Sequence, residues 1–165
     1  MLTQSNKNKL TRSKQGFTII EVMIVLAIAG LILLIVFLAV PALQRSSRNQ
    51  QRKTDVGRIG SAATTVISDN NGAIPTPNAT FQTDLQNEVG NLSYYTSADV
   101  TTAASTAAIK YAPNTSTVVV YYPAVCASGA SGLGASSTGA QNTQLAIVYE
   151  TETGGATADN NCVSD

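Results

Sequence analysis

The sequence contains no histidine and no tryptophan, and only two of its 165 residues are cysteines. Without histidine, zinc sites, haem sites and histidine-based catalysis are strongly disfavoured. The chain shows no nucleophile–base pair, phosphate-binding loop or metal-spaced cluster. Asp159, Asn160 and Asn161 offer oxygen atoms to calcium but lack the spacing of a calcium loop. We therefore expect no enzyme, no bound metal and no cofactor.

Charge is scarce and unevenly distributed. Charged residues make up 12% of the chain, and the formal net charge is zero. Nine of the ten Lys and Arg residues precede Ile59, where Glu21 and Asp55 are the only acids; beyond Arg58, Lys110 stands against eight acids. This second part is rich in Ser, Thr, Ala, Asn and Gly, which is typical of an exported surface rather than of a nucleic-acid-binding protein.

The two cysteines, Cys126 and Cys162, both lie in the acidic part of the chain. An even pair in an exported protein favours a disulfide, with two buried free thiols as the alternative. A disulfide closing a loop of this length would stabilise the fold by roughly 3–4 kcal/mol in the chain-entropy model.

A long uncharged run, Val22 to Val40, follows a basic N-terminal segment. At about 1.5 Å per helical residue it covers about 28 Å, enough to cross the hydrocarbon core of a bilayer. It is longer than the apolar region of an ordinary secretory signal, and the residues after it are a poor cleavage region. We divide the chain into a leader (1–16), a membrane-spanning helix (17–42) and a remainder (43–165).

We predict one helix of about fifty residues, from Phe17 to about Asn70, apolar on all sides in its first half and amphipathic in its second. Pro41 predicts a kink, and Asn71 and Gly72, followed by Pro75, predict the C-terminal cap. The apolar face of the second half is formed by Val56, Ile59, Ala63, Val66 and Ile67.

The remainder predicts a small α+β head. Phe81, Leu85, Val89 and Leu92 are spaced as one face of a short helix. β-branched and aromatic residues predict strands at 108–112, 117–122 and 144–150, within a sheet of three or four antiparallel strands packed on the long helix. The Gly/Ser/Ala-rich segment 126–142 predicts a long surface loop.

The stretch "GFTIIEVMIVLAIAG" (Gly16–Gly30) resembles the N-terminal processing and assembly motif of type IV pilins. That family includes major and minor pilins, competence pilins and the pseudopilins of type II secretion. The resemblance implies the pilin fold, in which a long N-terminal helix packs on a small antiparallel sheet. It covers about fifteen residues closely; a basic leader, a glycine and a glutamate five positions later rarely coincide on one apolar helix.

The resemblance assigns roles to three residues of the motif. Gly16 would precede the bond cut by a prepilin peptidase, where an unhindered backbone suits the protease. Phe17 would become the N-methylated first residue of the mature chain. Glu21 would be the assembly residue, because a carboxylate in a packed apolar filament needs a cation, and the amine of Phe17 supplies one. The alternative is an acid that reaches the membrane border on its own.

The resemblance also implies a life cycle. The precursor waits in the cytoplasmic membrane, and the pilus assembly machinery then moves identical subunits into a helical filament outside the cell. Gly30 matches a family glycine where the helix can loosen during assembly, whereas Pro41 lies in a segment that resembles the family's proline-containing segment but comes about three residues later than usual. The expected function is that of a structural pilus subunit supporting adhesion to host surfaces, twitching motility or DNA uptake.

Arg45, Arg48 and Arg52 form a basic stripe at helical spacing. We expect ion pairs with acidic heads of neighbouring subunits, with anionic lipid, DNA or solvent as the alternatives. The leader has four Lys and Arg residues, whereas Arg45 to Arg58 supply five on the other side of the apolar run. The charge bias alone therefore does not predict the orientation in the membrane.

Three readings compete with that of a major pilin. A minor pilin, competence pilin or secretion pseudopilin would be scarce in surface filaments. A monomeric surface protein anchored by its signal would not be cleaved after Gly16. An exported enzyme is disfavoured because no catalytic set is visible in the sequence.

Overall fold

The structure, a computed structural model, describes residues 16–75, 78–104, 116–129, 132–140, 142–154 and 158–164. These residues contain two α-helices, a short 3-10 helix at Ser97–Asp99 and six strands. The helices are α1 (Ile19–Asp69) and α2 (Asn78–Val89). The strands are β1 (Val100–Ala104), β2 (Val118–Tyr122), β3 (Val125–Gly129), β4 (Gly132–Ser136), β5 (Ala146–Thr151) and β6 (Asp159–Ser164). The chain divides into two compact units, one ending at Val40 and one beginning at Pro41.

Every described residue of the unit that ends at Val40 is exposed. Among the described residues, α1 is the one helix long and apolar enough to cross a membrane: its most apolar 18-residue window has a mean hydropathy of 3.3 and no buried residue. Bulky side chains such as Ile19, Phe37 and Leu38 are 82%, 74% and 74% exposed. Residues 16–40 of this unit therefore form no core that covers their apolar surface.

The C-terminal end of α1 confirms the predicted stop. Asn71 has a positive φ of 56°, and Gly72 follows with 77°. The Gly72 N–H donates to the Ile67 carbonyl at 2.8 Å, and the Asn71 N–H donates to the Ser68 carbonyl at 3.2 Å. This pair of hydrogen bonds is the Schellman motif, with asparagine in the left-handed position.

The second unit has its main core between the amphipathic part of α1, helix α2 and one face of the sheet. The five apolar residues predicted for this face of α1 are all buried. Phe81 and Leu85 of α2 are fully buried, and the Phe81 ring meets that of Tyr122 edge-on at 5.2 Å between centroids. Most of the helical residues in the core were therefore predicted correctly from helical periodicity.

The sheet has six strands in the order β1-β2-β5-β6-β4-β3. β2 with β5, β5 with β6 and β3 with β4 are antiparallel, whereas β1 with β2 and β4 with β6 are parallel. The α+β class is therefore confirmed, with more strands than predicted and a mostly antiparallel sheet. Gly132 opens β4 at a φ of 113°, where a Cβ atom would lie 3.3 Å from the Asn160 carbonyl oxygen.

The predicted surface loop at 126–142 is wrong, because it contains most of β3 and all of β4. Ala135 of β4 is buried with Val119, Tyr121, Ala146 and Val148, which point away from the helices. The β3–β4 hairpin thus covers the second face of the sheet. Small residues have low intrinsic strand propensity, so only this tertiary burial makes the segment a hairpin.

The strands predicted at 117–122 and 144–150 correspond to β2 and β5. The strand predicted at 108–112 lies outside the described residues. β1 and β6 were not predicted, since their sequences "VTTAA" and "DNNCVS" lack a run of large apolar residues. Short polar strands of this kind depend on their neighbours in the sheet.

Candidate functional site

The first turn of α1 is closed by a pair of side chains, Thr18 and Glu21. The Thr18 backbone N–H and hydroxyl both donate to Glu21 Oε2, at 2.8 and 2.7 Å, and the Glu21 N–H approaches Thr18 Oγ1 at 3.4 Å. Thr18 is the residue before the helix and Glu21 is its third residue, so the two form a capping box. The box satisfies backbone donors that an apolar segment cannot otherwise pair.

The capping box gives Glu21 a second role, which sequence alone did not reveal. The signal was present as the pattern Thr-x-x-Glu before an apolar run. The Glu21 side chain is exposed and accepts a hydrogen bond from Thr18, which is the residue that follows Phe17. Its pairing with the amine of a cleaved Phe17 stays a prediction.

Gly16 and Phe17 precede the helix. A Cβ atom placed on Gly16 would have no neighbour within 4 Å, and Phe17 is 90% exposed. The bond between them therefore lies in non-helical, accessible backbone, which a protease requires. Gly30 and Pro41, in contrast, both lie inside α1. Their assigned role in loosening the helix stays a prediction.

The basic stripe is engaged inside the chain through Glu152, which follows β5. Arg48 Nε donates to Glu152 Oε1 and Oε2 at 2.9 and 3.1 Å, and its Nη2 also contacts Oε2. Arg52 Nη2 donates to Oε1 at 2.8 Å. The Arg52 side chain is fully buried, that of Arg48 is 41% exposed, and Arg45 is half-buried. Contacts of this stripe with other subunits stay a prediction.

Arg52 also joins the helix to the segment before the 3-10 helix. Its guanidinium lies 4.2 Å from the centre of the Tyr94 ring and contacts the Tyr94 hydroxyl. One turn later, the buried Asp55 accepts the backbone N–H groups of Ser93, Tyr94 and Tyr95 at 2.9, 2.6 and 3.1 Å. Three such donors offset the cost of burying a carboxylate.

Asn49 completes the attachment of the chain after β5 to α1. Its Nδ2 donates to the Glu152 carbonyl at 2.8 Å, and its Oδ1 accepts the Glu152 N–H at 2.9 Å. Asn49, Arg48 and Arg52 therefore hold one residue by both its backbone and its side chain. We call Arg48, Asn49, Arg52 and Glu152 the helix–strand clamp.

The clamp makes stability depend on pH in a defined direction. Hydrogen bonding by Arg48 holds the pKa of the Glu152 carboxyl below its ordinary value of 4.5. The stabilisation is complete above about pH 4.5 and is lost as pH falls through the lower folded-state pKa. We expect Glu152→Gln to lower the free energy of unfolding at pH 7, with the difference from wild type shrinking at acid pH, as measured by urea titration of detergent-solubilised protein.

Glu150 provides the matched control because burial raises the pKa of its carboxyl. A raised pKa means that the charged form is disfavoured in the fold, so Glu150→Gln should stabilise at pH 7 and have no effect at acid pH. If both variants show the same sign of pH dependence, Glu152 is not held as its contacts indicate.

Cys126 of β3 and Cys162 of β6 form a disulfide, with a Cα–Cα distance of 5.6 Å. It lies on the sheet face covered by the β3–β4 hairpin. Among the described residues, no group of three or more His, Cys, Asp or Glu side chains is placed to hold a metal. Asn161 donates to Thr151 Oγ1 and to the Asp159 carbonyl, which shows a structural use for this polar cluster.

Comparison with protein families finds one matching model, the prokaryotic N-terminal methylation motif, over residues 11–37. The matched range contains Gly16, Phe17, Glu21 and Gly30. Comparisons with curated proteins and with solved structures found no match.

Proposed function

We propose, from the premise that the chain carries the class III signal peptide of type IV pilins, that it polymerises through its apolar N-terminal helix into a pilus filament. The motif supports a type IV pilin-like or pseudopilin protein and implies processing by prepilin peptidase and use by pilus-type machinery. It also fits membrane insertion of the precursor. We propose in addition that the subunits form a filament, that the filament lies outside the cell and that its subunits are identical.

One observation carries the proposal: the part of the chain that the structure describes does not bury the apolar front of α1. No residue in the most apolar window is buried. Burying one large aliphatic side chain contributes about 1.5–3 kcal/mol, so such a surface needs lipid or protein around it. Lipid covers this surface in the precursor, and copies of the same helix cover it in a subunit that has left the membrane.

The described contacts also suit a subunit that must keep its fold when it leaves the membrane. The disulfide and the helix–strand clamp tie α1 and the hairpin to the sheet. We propose that the chain does no chemistry and that an assembly ATPase elsewhere supplies the work. Adhesion, twitching motility and DNA uptake are the functions that such a filament would support.

Mass spectrometry of sheared surface fibres tests this function. We expect an abundant peptide that begins with methylated Phe17, together with a Cys126–Cys162 disulfide-linked peptide pair. A minor pilin or pseudopilin would give the same N-terminus in the membrane fraction but little protein in the fibres. A chain that begins at Met1 in membrane extracts and is absent from fibres would overturn the proposal in favour of a signal-anchored surface protein.

A further inference from the structure

A groove with uncompensated positive charge lies beside α1, near the start of the unit that begins at Pro41. It has a volume of ≈ 440 Å³, within the range of small-molecule sites, about 300–1,000 Å³. Its helical wall includes Arg45, Ser46, Gln50 and Lys53, and its other wall includes Glu152 and Gly154. We call it the basic groove.

The cations of the basic groove lack anions of their own. Among the described residues, Arg45 and Lys53 form no salt bridge, and Glu152 is the single carboxylate that lines the groove. Glu152 is already bound by both Arg48 and Arg52. The negative charge of Glu152 is thus already matched by Arg48 and Arg52, so the charges of Arg45 and Lys53 are left over and the groove attracts an anion.

The donors that line the groove suit a phosphate group. Arg45 carries a planar fork of N–H donors, Lys53 a mobile point charge, and Ser46 and Gln50 add a hydroxyl and an amide. The wall opposite α1 is held in place because Asn49 binds both backbone groups of Glu152. The groove is thus a built feature of the second unit rather than a chance meeting of mobile side chains.

The position of the groove in the sequence, just after the apolar run, indicates that the anion is a lipid headgroup. Arg45 is five residues beyond Val40, the last residue of the apolar run. The headgroup layer of a bilayer adds about 5–8 Å to each side of the hydrocarbon core. Arg45 therefore follows the apolar run closely enough in the sequence to meet lipid phosphates when that run spans the membrane.

We propose that the basic groove binds the phosphate of an anionic phospholipid headgroup while the precursor waits in the membrane. This inference rests on membrane insertion of the precursor and not on filament formation. It also gives a role to Arg45 and Lys53, two of the five basic residues that follow the apolar run. Leaving the membrane then requires release of the headgroup.

Native mass spectrometry of the full-length precursor in detergent micelles tests the proposal. With equal amounts of phosphatidylglycerol and phosphatidylcholine, we expect retained adducts of phosphatidylglycerol. Arg45→Gln should weaken its binding about fivefold, as expected for a basic residue at an anionic surface, and Lys53→Gln, eight residues further along the sequence, should weaken it less. Arg58→Gln removes the same charge from α1 outside the groove and should change binding less than twofold. Equal loss in all single variants, or equal retention of the two lipids, overturns the proposal.

Two further measurements separate the competing anions. Inorganic phosphate should displace phosphatidylglycerol only at concentrations far above that of the lipid; displacement at comparable concentrations would assign the groove to free phosphate and overturn the lipid assignment. If Arg45→Gln/Lys53→Gln leaves lipid binding unchanged but lowers fibre yield, a second copy of the chain occupies the groove instead. If the precursor does not bind the lipid but fibres still form, this inference is wrong and the proposed function is unaffected.

Discussion

Replacing Glu21 with glutamine is expected to remove surface fibres while leaving the precursor in the membrane and cleaved after Gly16. Glutamine keeps a side-chain oxygen for the Thr18 donors and is accepted in a capping box, so the start of α1 should persist. What it loses is the negative charge. In a packed filament the amine of Phe17 then has no counter-ion, and an unpaired buried charge is strongly destabilising. Immunoblots of sheared fibres and of membranes measure both pools.

Thr18→Val is the matched control for this experiment. Valine removes the hydroxyl that binds Glu21 and receives the Glu21 N–H, but it leaves the carboxylate charged. Loss of a cap of this kind costs about 0.5–2 kcal/mol, so fibre yield should fall only modestly. Undiminished fibres in Glu21→Gln, or equal loss in both variants, would show that capping rather than charge is what assembly requires of Glu21.

Replacing Arg52 with methionine is expected to lower the free energy of unfolding of the second unit by about 1–3 kcal/mol, the cost of losing hydrogen bonds to a charged group. Arg52 is fully buried and joins Glu152, Asn49 and the Tyr94 ring. Methionine fills part of the space but leaves Glu152 with Arg48 as its remaining side-chain partner and removes the contact to the Tyr94 hydroxyl. Urea titration of detergent-solubilised protein, followed by tyrosine fluorescence, measures the change.

Arg58→Met is the surface control for Arg52→Met. Arg58 is exposed, and its described hydrogen bond goes to the Asn91 carbonyl at 2.9 Å. Exposed substitutions of this kind change stability by about 0.5 kcal/mol or less. A loss below about 0.5 kcal/mol for Arg52→Met, equal to that of Arg58→Met, would contradict the clamp, because the hydrogen bonds of Arg52 would then contribute nothing to stability.

The processing motif was read from the sequence, and the cap at the start of the helix left a signal there that was missed, because both use local rules. A glycine before an apolar run, a glutamate at a set distance and a Thr-x-x-Glu cap all lie within a few residues of each other. Hydrogen bonds across one helical turn depend on spacing alone. The same holds for the end of α1, where Asn71 adopts the left-handed conformation required after the helix.

The helix–strand clamp could not be read in the same way. The stripe of arginines was visible, but its partner Glu152 lies 100 residues from Arg52 and 104 from Arg48. Several acids at that distance were equally available by charge. The burial of Asp55 was also invisible, because its partners are backbone N–H groups of residues 93–95, which exist as a cluster only in the folded chain.

The sequence by itself determined the uncharged span, the amphipathic helix that follows it, the face of α2 that is buried and two of the strands. Each of these depends on periodicity, caps or strand propensity over a short stretch of chain, and so survives without knowledge of neighbours. Tertiary structure alone decided that a Gly/Ser/Ala-rich segment forms the β3–β4 hairpin, that two strand pairs run parallel, and that Glu152 faces the arginines. These features come from contacts between distant residues, whose free energy has no local signature in the sequence.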